Sequence, residues 1–530
     1  MFSSWFRKIQ IERQVPIGEG GFSLVLLGKF NGHEVAVKKV ELRNVNNEEI
    51  VLKQLDHPNV IKLFYSESDA NFKYFALELC RASLDQLFLK PDHPRKYKGP
   101  KLPHHLTVFI QLATGLEYIH SKNLIHRDIK PANVLISVDS DGLVTIKWAD
   151  FGLSRFVNER GTCTLSGIKG TMNWFAPELL RSIERDDVEL GRGTVKSDVF
   201  ALALVFGYLL LGGQHLYGQE IEVPINIVKQ ATVNMEKIDN SHYARDLLCK
   251  MLEDESGKRI SSFEVANELK SIKNEVLKKE EELRRMCWRT SLDLEKIKLL
   301  IQRGIDVNGK DNNERNALHF LCRYNSSDKL RDAIKLLIQL GIDVNGKDND
   351  GWNALHSLCL YNSSEELMDA IKLLTQFGID VNGKDNNGRN ALHLMCLYNS
   401  NDKLMDAIKL LIQLGIDVNG KDNDGWNALH FLCLNNSSEK LMDAIKLLIQ
   451  LGIDVNGKDN NGWNALHYLC SNNSSDEKLL DAIKLLIQLG IEVNLTGFDA
   501  RSLLHRNEHI RENIEKIIEF LDRAAISHQK

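Results

Sequence analysis

The sequence predicts an α+β domain followed by an all-α solenoid. Before about residue 290, β-branched stretches, a glycine-rich turn and long helical patterns indicate a mixed domain. After it, a 37-residue unit with two helices and a turn recurs, and such a period is typical of a solenoid. The charged stretch between them is expected to form a solvated helix that couples the two parts stiffly. We therefore expect a domain over 12–270, a linker over 271–290 and repeats over 291–530.

The composition is that of an ordinary globular protein. The chain has 530 residues, 43% of them hydrophobic, which exceeds a single core and predicts two or more domains. Its net charge of -5 suggests neither a nucleic-acid partner nor an acidic tail.

Two stretches bear on the location of the protein. The N-terminal sequence MFSSWFRKIQ is too short and too polar for a signal peptide. The apolar run from Val199 to Gly213 is shorter than the ~20 residues of a membrane helix and is expected to be a buried core helix. We expect a cytoplasmic protein without membrane contact, with the nucleus left open and the nine cysteines reduced.

Five short motifs follow one another in the first half. They are GEGGFSLV at 18–25, VAVK at 35–38, HRDIKPAN at 126–133, DFG at 150–152 and APE at 176–178. The first is weak alone, because glycine-rich turns are common and Ser23 stands where a third glycine is expected. The order and spacing of all five match the motif set of protein kinases.

On these motifs, residues 12–270 resemble a eukaryotic protein kinase. The resemblance implies a bilobal α+β kinase fold, ATP and Mg²⁺ as cofactors, and a protein substrate. It implies that Asp128 orients and deprotonates the substrate hydroxyl, that Lys130 neutralises the transferring group, and that Asn133 and Asp150 hold magnesium. The implied ATP-binding residues are Ile17, Gly18, Glu19, Gly20, Gly21, Phe22, Ser23, Val25, Ala36, Lys38, Glu48, Glu78 and Cys80.

The acidic partner of Lys38 stays open between two neighbours. Glu48 is preferred because it places Leu52 one helical turn on, toward the core, but Glu49 is adjacent. The short interval between Lys38 and Glu48 also leaves open whether their ion pair exists at rest or only in an active state.

Two details favour serine and threonine substrates over tyrosine. Lys130 follows Asp128 by two residues, and Thr171 stands in GTMNWFAPE, as in Ser/Thr kinases. The segment between DFG and APE offers the candidate phosphosites Thr162, Thr164, Ser166 and Thr171. Arg127 would give a phosphate on this segment a cationic partner.

Three alternatives accompany this interpretation. The domain could be a pseudokinase that serves as a signalling scaffold. Stretches such as ALELCRASLDQLF also resemble the inositol-requiring stress-sensor kinases and ribonuclease L, in which a ribonuclease domain follows the kinase. Only ~30 residues separate Arg259 from the repeats, so we do not expect nuclease activity. A homodimer of the kinase domain stays open.

The second half resembles ankyrin repeats. NALH stands where that family has TPLH, and GIDVNGKDN stands where it has GADVNAKD. About six units of 37 residues cover 291–530, and the resemblance implies an unidentified protein partner on this array.

A His/Cys pair recurs in each unit and raises the question of a metal site. The pairs are His319/Cys322, His356/Cys359, His393/Cys396, His430/Cys433 and His467/Cys470. A zinc site needs about four converging ligands, whereas stacked repeats place the pairs along a line. We therefore expect scaffold roles, with the histidine bonded to backbone across the turn and the cysteine filling a small core position.

One position beside the repeat turn alternates between arginine and tryptophan. Its members are Arg315, Trp352, Arg389, Trp426 and Trp463. Packing beside the turn is the preferred interpretation, and stacking on a nucleotide or anchoring of a protein partner is the alternative.

Overall fold

The structure is a computed structural model, and two compact units make up the chain. It describes residues 8–12, 16–20, 23–45, 47–157, 170–185, 193–362, 364–398, 403–435, 441–471, 476–493, 518–521 and 523. The first unit comprises Met1–Val276 with Gln302–Gly304, and the second comprises Leu277–Ile301 with Ile305–Lys530.

Antiparallel strands open the first unit. The strands are β1 Ile9–Ile11, β2 Gly18–Gly20, β3 Ser23–Phe30, β4 His33–Glu41, β5 Leu63–Ser68, β6 Phe72–Leu77, β7 Ala82–Ser83, β8 Leu124–Ile125, β9 Val134–Val138, β10 Val144–Trp148 and β11 Arg155–Phe156. The main sheet has the order β1-β3-β4-β6-β5, with β2 paired to β3. Val35 and Val37 of β4 are fully buried in its core. This apolar alternation fixes which face of β4 carries Lys38.

Helices form most of the rest of this unit. They are α1 Glu48–Gln54, α2 His105–Ser121, α3 Pro177–Arg185, α4 Val195–Leu210, α5 Val223–Val228 and α6 Arg245–Met251. Two small sheets, β10-β9-β7 and β11-β8, lie among them. The rings of Phe109 on α2 and Phe206 on α4 stack at 4.0 Å. Together the curled sheet and the helical part form the bilobal kinase fold.

Helix α4 is the apolar run identified in the sequence, and it is buried almost throughout. The Thr194 side chain caps its first turn by accepting from the backbone N–H of Ser197, and the Ser197 side chain accepts from Thr194 in return. Among the described residues, no helix combines the length and the apolar character that crossing a membrane requires.

A single helix and then helix pairs continue the chain. They are α7 Ser262–Trp288, α8 Leu294–Gln302, α9 Ala317–Tyr324, α10 Leu330–Gln339, α11 Ala354–Tyr361, α12 Leu367–Gln376, α13 Ala391–Tyr398, α14 Leu404–Gln413, α15 Ala428–Asn435, α16 Leu441–Gln450, α17 Ala465–Ser471 and α18 Asp476–Gln488. From α9 onward, each pair packs against the pair before it, first helix on first helix and second on second. This is the predicted all-α ankyrin solenoid, whereas the bounds 12–270, 271–290 and 291–530 stay predictions.

A histidine on each first helix joins consecutive repeats. Asn316 caps α9 with its side chain, and Nδ1 of His319 accepts from the Asn316 backbone N–H at 3.3 Å. The other ring nitrogen, Nε2, donates to the carbonyl of Trp352 in the next repeat at 2.9 Å. Equivalent bonds run from His356 to the Arg389 carbonyl and from His430 to the Trp463 carbonyl, whereas His393 donates to a different carbonyl of the next repeat, that of Gly420. The histidines therefore bond within and between repeats.

The repeat cysteines fill the core of the array. They are Cys322, Cys359, Cys396, Cys433 and Cys470, each at most 1% exposed. Burial raises the pKa of the Cys396 thiol to about 12, so this side chain stays protonated and behaves as a small apolar group. In the part of the chain that the structure describes, no three or more His, Cys, Asp or Glu side chains are grouped to hold a metal.

The two arginines of the alternating position pair with acidic residues of their own turn. Arg315 Nη2 lies 2.7 Å from Asp311 Oδ2, and Arg389 Nη2 lies 2.8 Å from Asp385 Oδ2. These side chains stabilise the turn that precedes each first helix.

The tryptophans of that position are half-buried. Trp352 Nε1 donates to Asp385 Oδ2 in the next repeat at 3.2 Å. The ring centroids of Trp426 and Trp463 lie 4.2 and 5.3 Å from that of Tyr468. These contacts favour the packing interpretation, and recognition of a partner by these residues stays a prediction.

Candidate active site

Three side chains from separate elements meet at one point of the first unit, where Lys38 and Glu48 are buried and Asp150 is exposed. Lys38 lies on β4, Glu48 opens α1, and Asp150 follows β10. Lys38 Nζ lies 2.6 Å from Glu48 Oε1 and 2.8 Å from Asp150 Oδ1. The ion pair whose partner the sequence left open is thus formed with Glu48.

Glu49 has other partners. Its Oε1 accepts from Lys53 and from the Ser66 hydroxyl, and its Oε2 lies 2.7 Å from Lys73 Nζ. Burial alone would raise its pKa, but these donors lower it to about 2. Glu49 therefore holds α1 on the neighbouring strands.

The cluster around Lys38 is strongly charged although Lys38 and Glu48 are buried. Burial alone would lower the pKa of Lys38, but the carboxylates of Glu48 and Asp150 outweigh it and raise that pKa. Burial alone would raise the pKa of Asp150, but Lys38 lowers it. Lys38 and Asp150 are therefore both ionised at neutral pH, which suits binding of polyphosphate beside a cation.

A second polar cluster surrounds Asp128. Its Oδ2 accepts from Lys130 Nζ at 2.8 Å and from Asn133 Nδ2 at 2.9 Å. Its Oδ1 accepts from the Thr171 hydroxyl at 3.2 Å, and Lys130 donates to the same hydroxyl at 2.8 Å. One carboxylate, one ammonium and one hydroxyl are thus held in contact, an arrangement that can position a substrate hydroxyl and accept its proton.

This position of Thr171 bears on the phosphosite prediction. A phosphate on its oxygen would bring about two negative charges against Asp128. We therefore expect Thr171 to remain unphosphorylated and to contact Asp128 and Lys130 through its hydroxyl. The other candidate phosphosites, Thr162, Thr164 and Ser166, lie outside the described residues.

Asn133 and Asp150 have oxygens suited to a magnesium ion. Asn133 uses its amide nitrogen to donate to Asp128, so its Oδ1 can act as a ligand. Asp150 accepts from Lys38 through its Oδ1 atom. The backbone N–H of Ala149 donates to the Asn133 carbonyl at 3.0 Å and so holds the two residues side by side. Mg²⁺ prefers oxygen ligands from one or two side chains together with substrate phosphates, and this pair fits that preference.

The predicted nucleotide-binding strands form a tight hairpin. Gly18 pairs with Val25, and Gly20 pairs with Ser23, between β2 and β3. Ile17 donates its backbone N–H to the Val25 carbonyl at 2.8 Å, whereas Gly21 and Phe22 lie outside the described residues. Ser23, which stands where a third glycine was expected, is thus a paired residue of β3.

The segment after β6 carries the other two predicted nucleotide contacts. The Glu78 carboxylate accepts from Ser137 at 3.0 Å and lies 3.1 Å from Lys147 Nζ. Burial raises the pKa of the Cys80 thiol to about 12, so it is protonated. Glu78 thus joins the segment after β6 to the strands β9 and β10, and contact of Glu78 or Cys80 with ATP stays a prediction.

Asp198 organises the loop that carries Asp128, although none of the sequence motifs includes it. It is almost fully buried on α4, and its carboxylate accepts from the backbone N–H of His126 at 2.7 Å and of Arg127 at 3.0 Å. His120 Nε2 lies 3.0 Å from the same carboxylate. The sequence does contain a signal for this role, namely an aspartate inside an apolar helix. A charged side chain that is buried in such a helix requires polar partners.

His126 links the two polar clusters. Its Nε2 donates to the Ala149 carbonyl at 3.0 Å, and its Nδ1 accepts from the Asp128 backbone N–H at 3.4 Å. Its ring centroid lies 5.0 Å from that of the fully buried Phe151. The loop that carries Asp128 is therefore fixed relative to the strand end that carries Asp150.

Comparison with known protein families agrees with this geometry. Residues 11–271 match the family described as protein kinase domain, and overlapping matches within 285–497 are to ankyrin repeats. The chain combines a protein kinase domain with ankyrin repeats.

Curated relatives match the kinase domain. The human serine/threonine-protein kinase/endoribonuclease IRE2 is 38% identical over 258 residues, 46% of this chain and 27% of the relative. The serine/threonine-protein kinase/endoribonuclease ire-1 of Caenorhabditis elegans is 33% identical over 261 residues, 46% of this chain and 25% of the relative. Calcium-dependent protein kinase 5 of Plasmodium berghei is 29% identical over 268 residues, 47% of this chain and 44% of the relative. The chain thus spans about a quarter of the first two relatives.

A buried ion pair supports the helical part of the kinase domain. The guanidinium of Arg259 is 1% exposed, and both of its terminal nitrogens lie 3.0 Å from the Glu178 carboxylate. Arg259 also donates to the carbonyls of Glu253 and Lys196. The sequence shows both residues, but only the fold joins them, 81 positions apart.

We expect Arg259→Ala to lower the free energy of unfolding by about 3–5 kcal/mol, because Glu178 loses its ion-pair partner and the carbonyls of Glu253, Lys196 and Asp254 lose a donor. Thermal unfolding of the full chain with a fluorescence readout measures the effect. Arg43→Ala is the matched control, since Arg43 is an exposed arginine paired with Glu41. Equal melting temperatures for both variants would contradict a structural role for the Arg259 pair.

Proposed function

We propose that this protein transfers the γ-phosphoryl group of ATP to serine or threonine hydroxyls of protein substrates. The observation that carries the proposal is the joined pair of clusters: Lys38 bonds to Asp150, Asn133 bonds to Asp128, and the backbone of Ala149, next to Asp150, bonds to Asn133. Phosphoryl transfer depends mainly on positioning and electrostatic stabilisation, which such a set of charges can supply.

Each residue has a task in this proposal. Lys38 binds the phosphates of ATP and is held in place by Glu48. Asp128 orients the substrate hydroxyl and accepts its proton, while Lys130 neutralises the charge that develops on the transferring group. Mg²⁺ bound by Asn133 and Asp150 would neutralise phosphate charge. Thr171 holds Asp128 and Lys130 at a fixed separation and so favours an aliphatic hydroxyl in the site.

The ankyrin repeats complete the proposal as the part that binds a protein partner. Ankyrin repeats mediate protein–protein contacts, and solenoids present an extended surface for them. We propose that this array recruits a substrate, scaffold or regulator to the kinase domain. The cytoplasmic location inferred from the sequence stays a prediction.

Incubation of the full chain with radiolabelled ATP and magnesium tests the proposal. We expect label on the chain and on a generic protein substrate, found on phosphoserine and phosphothreonine after acid hydrolysis. Asp150→Ala should abolish incorporation, whereas the surface variant Asp141→Ala should not. No incorporation in any preparation, including protein prephosphorylated by another kinase, would instead indicate a scaffold without catalysis.

A further inference from the structure

A cavity of about 840 Å³ opens next to the catalytic loop of the kinase domain. Lys130 and Pro131 of that loop form part of its wall, and Lys130 Nζ lies 2.8 Å from Asp128 Oδ2. The rest of the wall comes from Asp85, from the aromatic residues Trp174 and Tyr208, and from the segment between α4 and α6. A substrate whose hydroxyl reaches Asp128 therefore has its neighbouring residues at this cavity.

Carboxylates dominate the ionised groups of the wall. Asp85, Glu220 and Glu222 line the cavity, and within the described part of the chain neither glutamate forms an ion pair. Both glutamates are exposed and can turn toward a ligand. A cluster of exposed carboxylates at a cavity edge attracts cationic side chains.

The cations of the wall do not cancel this charge. Lys130 is already bound to Asp128 and to Thr171. Lys237 donates to Gln214 at 2.6 Å. Its single positive charge faces the three negative charges of Asp85, Glu220 and Glu222. Burial lowers the pKa of His215 to about 4, so this ring is neutral at pH 7.

The aromatic part of the wall suits the same kind of ligand. Trp174 and Tyr208 line the cavity, with their ring centroids 5.9 Å apart. Ring faces of tryptophan and tyrosine attract ammonium and guanidinium groups. Val233 of the wall is exposed and offers apolar contact to the stem of a long side chain.

We propose that this acidic cavity selects protein substrates that carry a lysine or arginine close to the phosphorylated serine or threonine. Asp85, Glu220 and Glu222 bind the cationic group, and Trp174 and Tyr208 contact its stem. The inference rests on the proposed kinase function and adds a substrate class to it.

Phosphorylation of matched peptides by the full chain tests the selectivity. The set holds one serine in a neutral background and places arginine, alanine or glutamate at each of the five positions on either side. We expect kcat/KM for the best arginine peptide to exceed that of its alanine counterpart by about 10-fold, from one or two partly exposed ion pairs. Equal rates for all three residues, or a preference for glutamate, would overturn the proposal.

Charge variants assign the preference to this cavity. Glu220→Gln combined with Glu222→Gln should reduce the ratio of arginine to alanine peptide severalfold, and the lysine double variant E220K/E222K should reverse it toward glutamate. Glu236→Gln is the control, because Glu236 is an exposed carboxylate of the same region outside the cavity wall. A ratio unchanged in both double variants would show that other residues set the preference.

A binding measurement separates this proposal from the catalytic one. Fluorescence anisotropy of the labelled arginine peptide is measured with the full chain, without ATP. Tighter binding than for the alanine peptide, lost in E220K/E222K, supports the acidic cavity even if no phosphate is transferred. If all peptides are phosphorylated but the arginine and alanine peptides do not differ in affinity or rate, the cavity proposal is contradicted and the proposed kinase function is not.

Discussion

Replacing Asp128 by asparagine should lower kcat by about 10²- to 10⁴-fold, the range for loss of a general base. Asparagine keeps the size of the side chain and can still accept from Lys130, but it cannot take a proton from the substrate hydroxyl. Its amide nitrogen must also replace one oxygen that now accepts from Asn133 or Thr171. Initial rates at saturating ATP and protein substrate measure the change.

Two controls decide whether the loss is chemical. ATP affinity of Asp128→Asn should stay near that of the wild type, because among the described residues Asp128 bonds to Lys130, Asn133 and Thr171, whereas Lys38 bonds to Glu48 and Asp150. Asp56→Asn, a change at an exposed aspartate whose backbone N–H donates to the Tyr118 hydroxyl, should leave kcat unchanged. A loss below about 10-fold in Asp128→Asn would show that another group accepts the proton.

Acidification from pH 7 to pH 5 should destabilise the ankyrin array before it protonates most carboxylates. Burial lowers the pKa of His319, His356, His393 and His430, and for His393 the value is about 4. In the unfolded chain a histidine titrates near pH 6.5, so the unfolded state binds more protons as pH falls below 6.5, and for His393 this difference extends to about pH 4. The free energy of unfolding therefore decreases as pH falls through this window. For His393 alone, the decrease from pH 7 to pH 5 is about 2 kcal/mol.

Hydrogen exchange of the helices α9 to α16 measures this effect separately from the kinase domain. That separation matters because His215 and His242 of the kinase domain also have pKa values lowered by burial to about 4. Exchange in the repeats should accelerate from pH 7 to pH 5 beyond the change in intrinsic rate. In His393→Gln the acceleration should be smaller in α13 and its neighbours. Equal protection at both pH values would contradict the buried neutral histidines.

Most acidic side chains of the second unit either titrate in a lower pH range or, like Glu280, whose pKa burial raises to about 7, add stability as pH falls. Burial alone would raise the pKa of Asp311, but bonds from Arg315 lower it, and bonds from Tyr468 and the backbone likewise lower that of Asp459. The stability that these two carboxylates add is present above their usual pKa near 3.9 and is lost as pH falls below it. Loss of stability between pH 6.5 and 5 is therefore assigned to the histidines.

Local sequence patterns determine much of this molecule. The alternation of Val35 and Val37 in β4 predicts a buried strand that carries Lys38, and the 37-residue period predicts the helix pairs. The His/Cys pairs, too, follow from the period, because each repeat offers the same surroundings to the same residue. Such features depend on neighbours within about one repeat, which the sequence displays directly.

Only the tertiary structure decided the partners that lie far apart along the chain. It joins Lys38 to Glu48 rather than Glu49, and it brings Asp198 to the backbone of Arg127, 71 positions away. The choice in each case depends on how strands and helices pack, because a buried charge takes the partner that the packing places beside it. The acidic cavity is of the same kind, since Asp85 and Glu220 meet there only after the chain has folded. The sequence by itself determined which chemistry the chain carries, and the packing of distant elements decided where that chemistry is assembled.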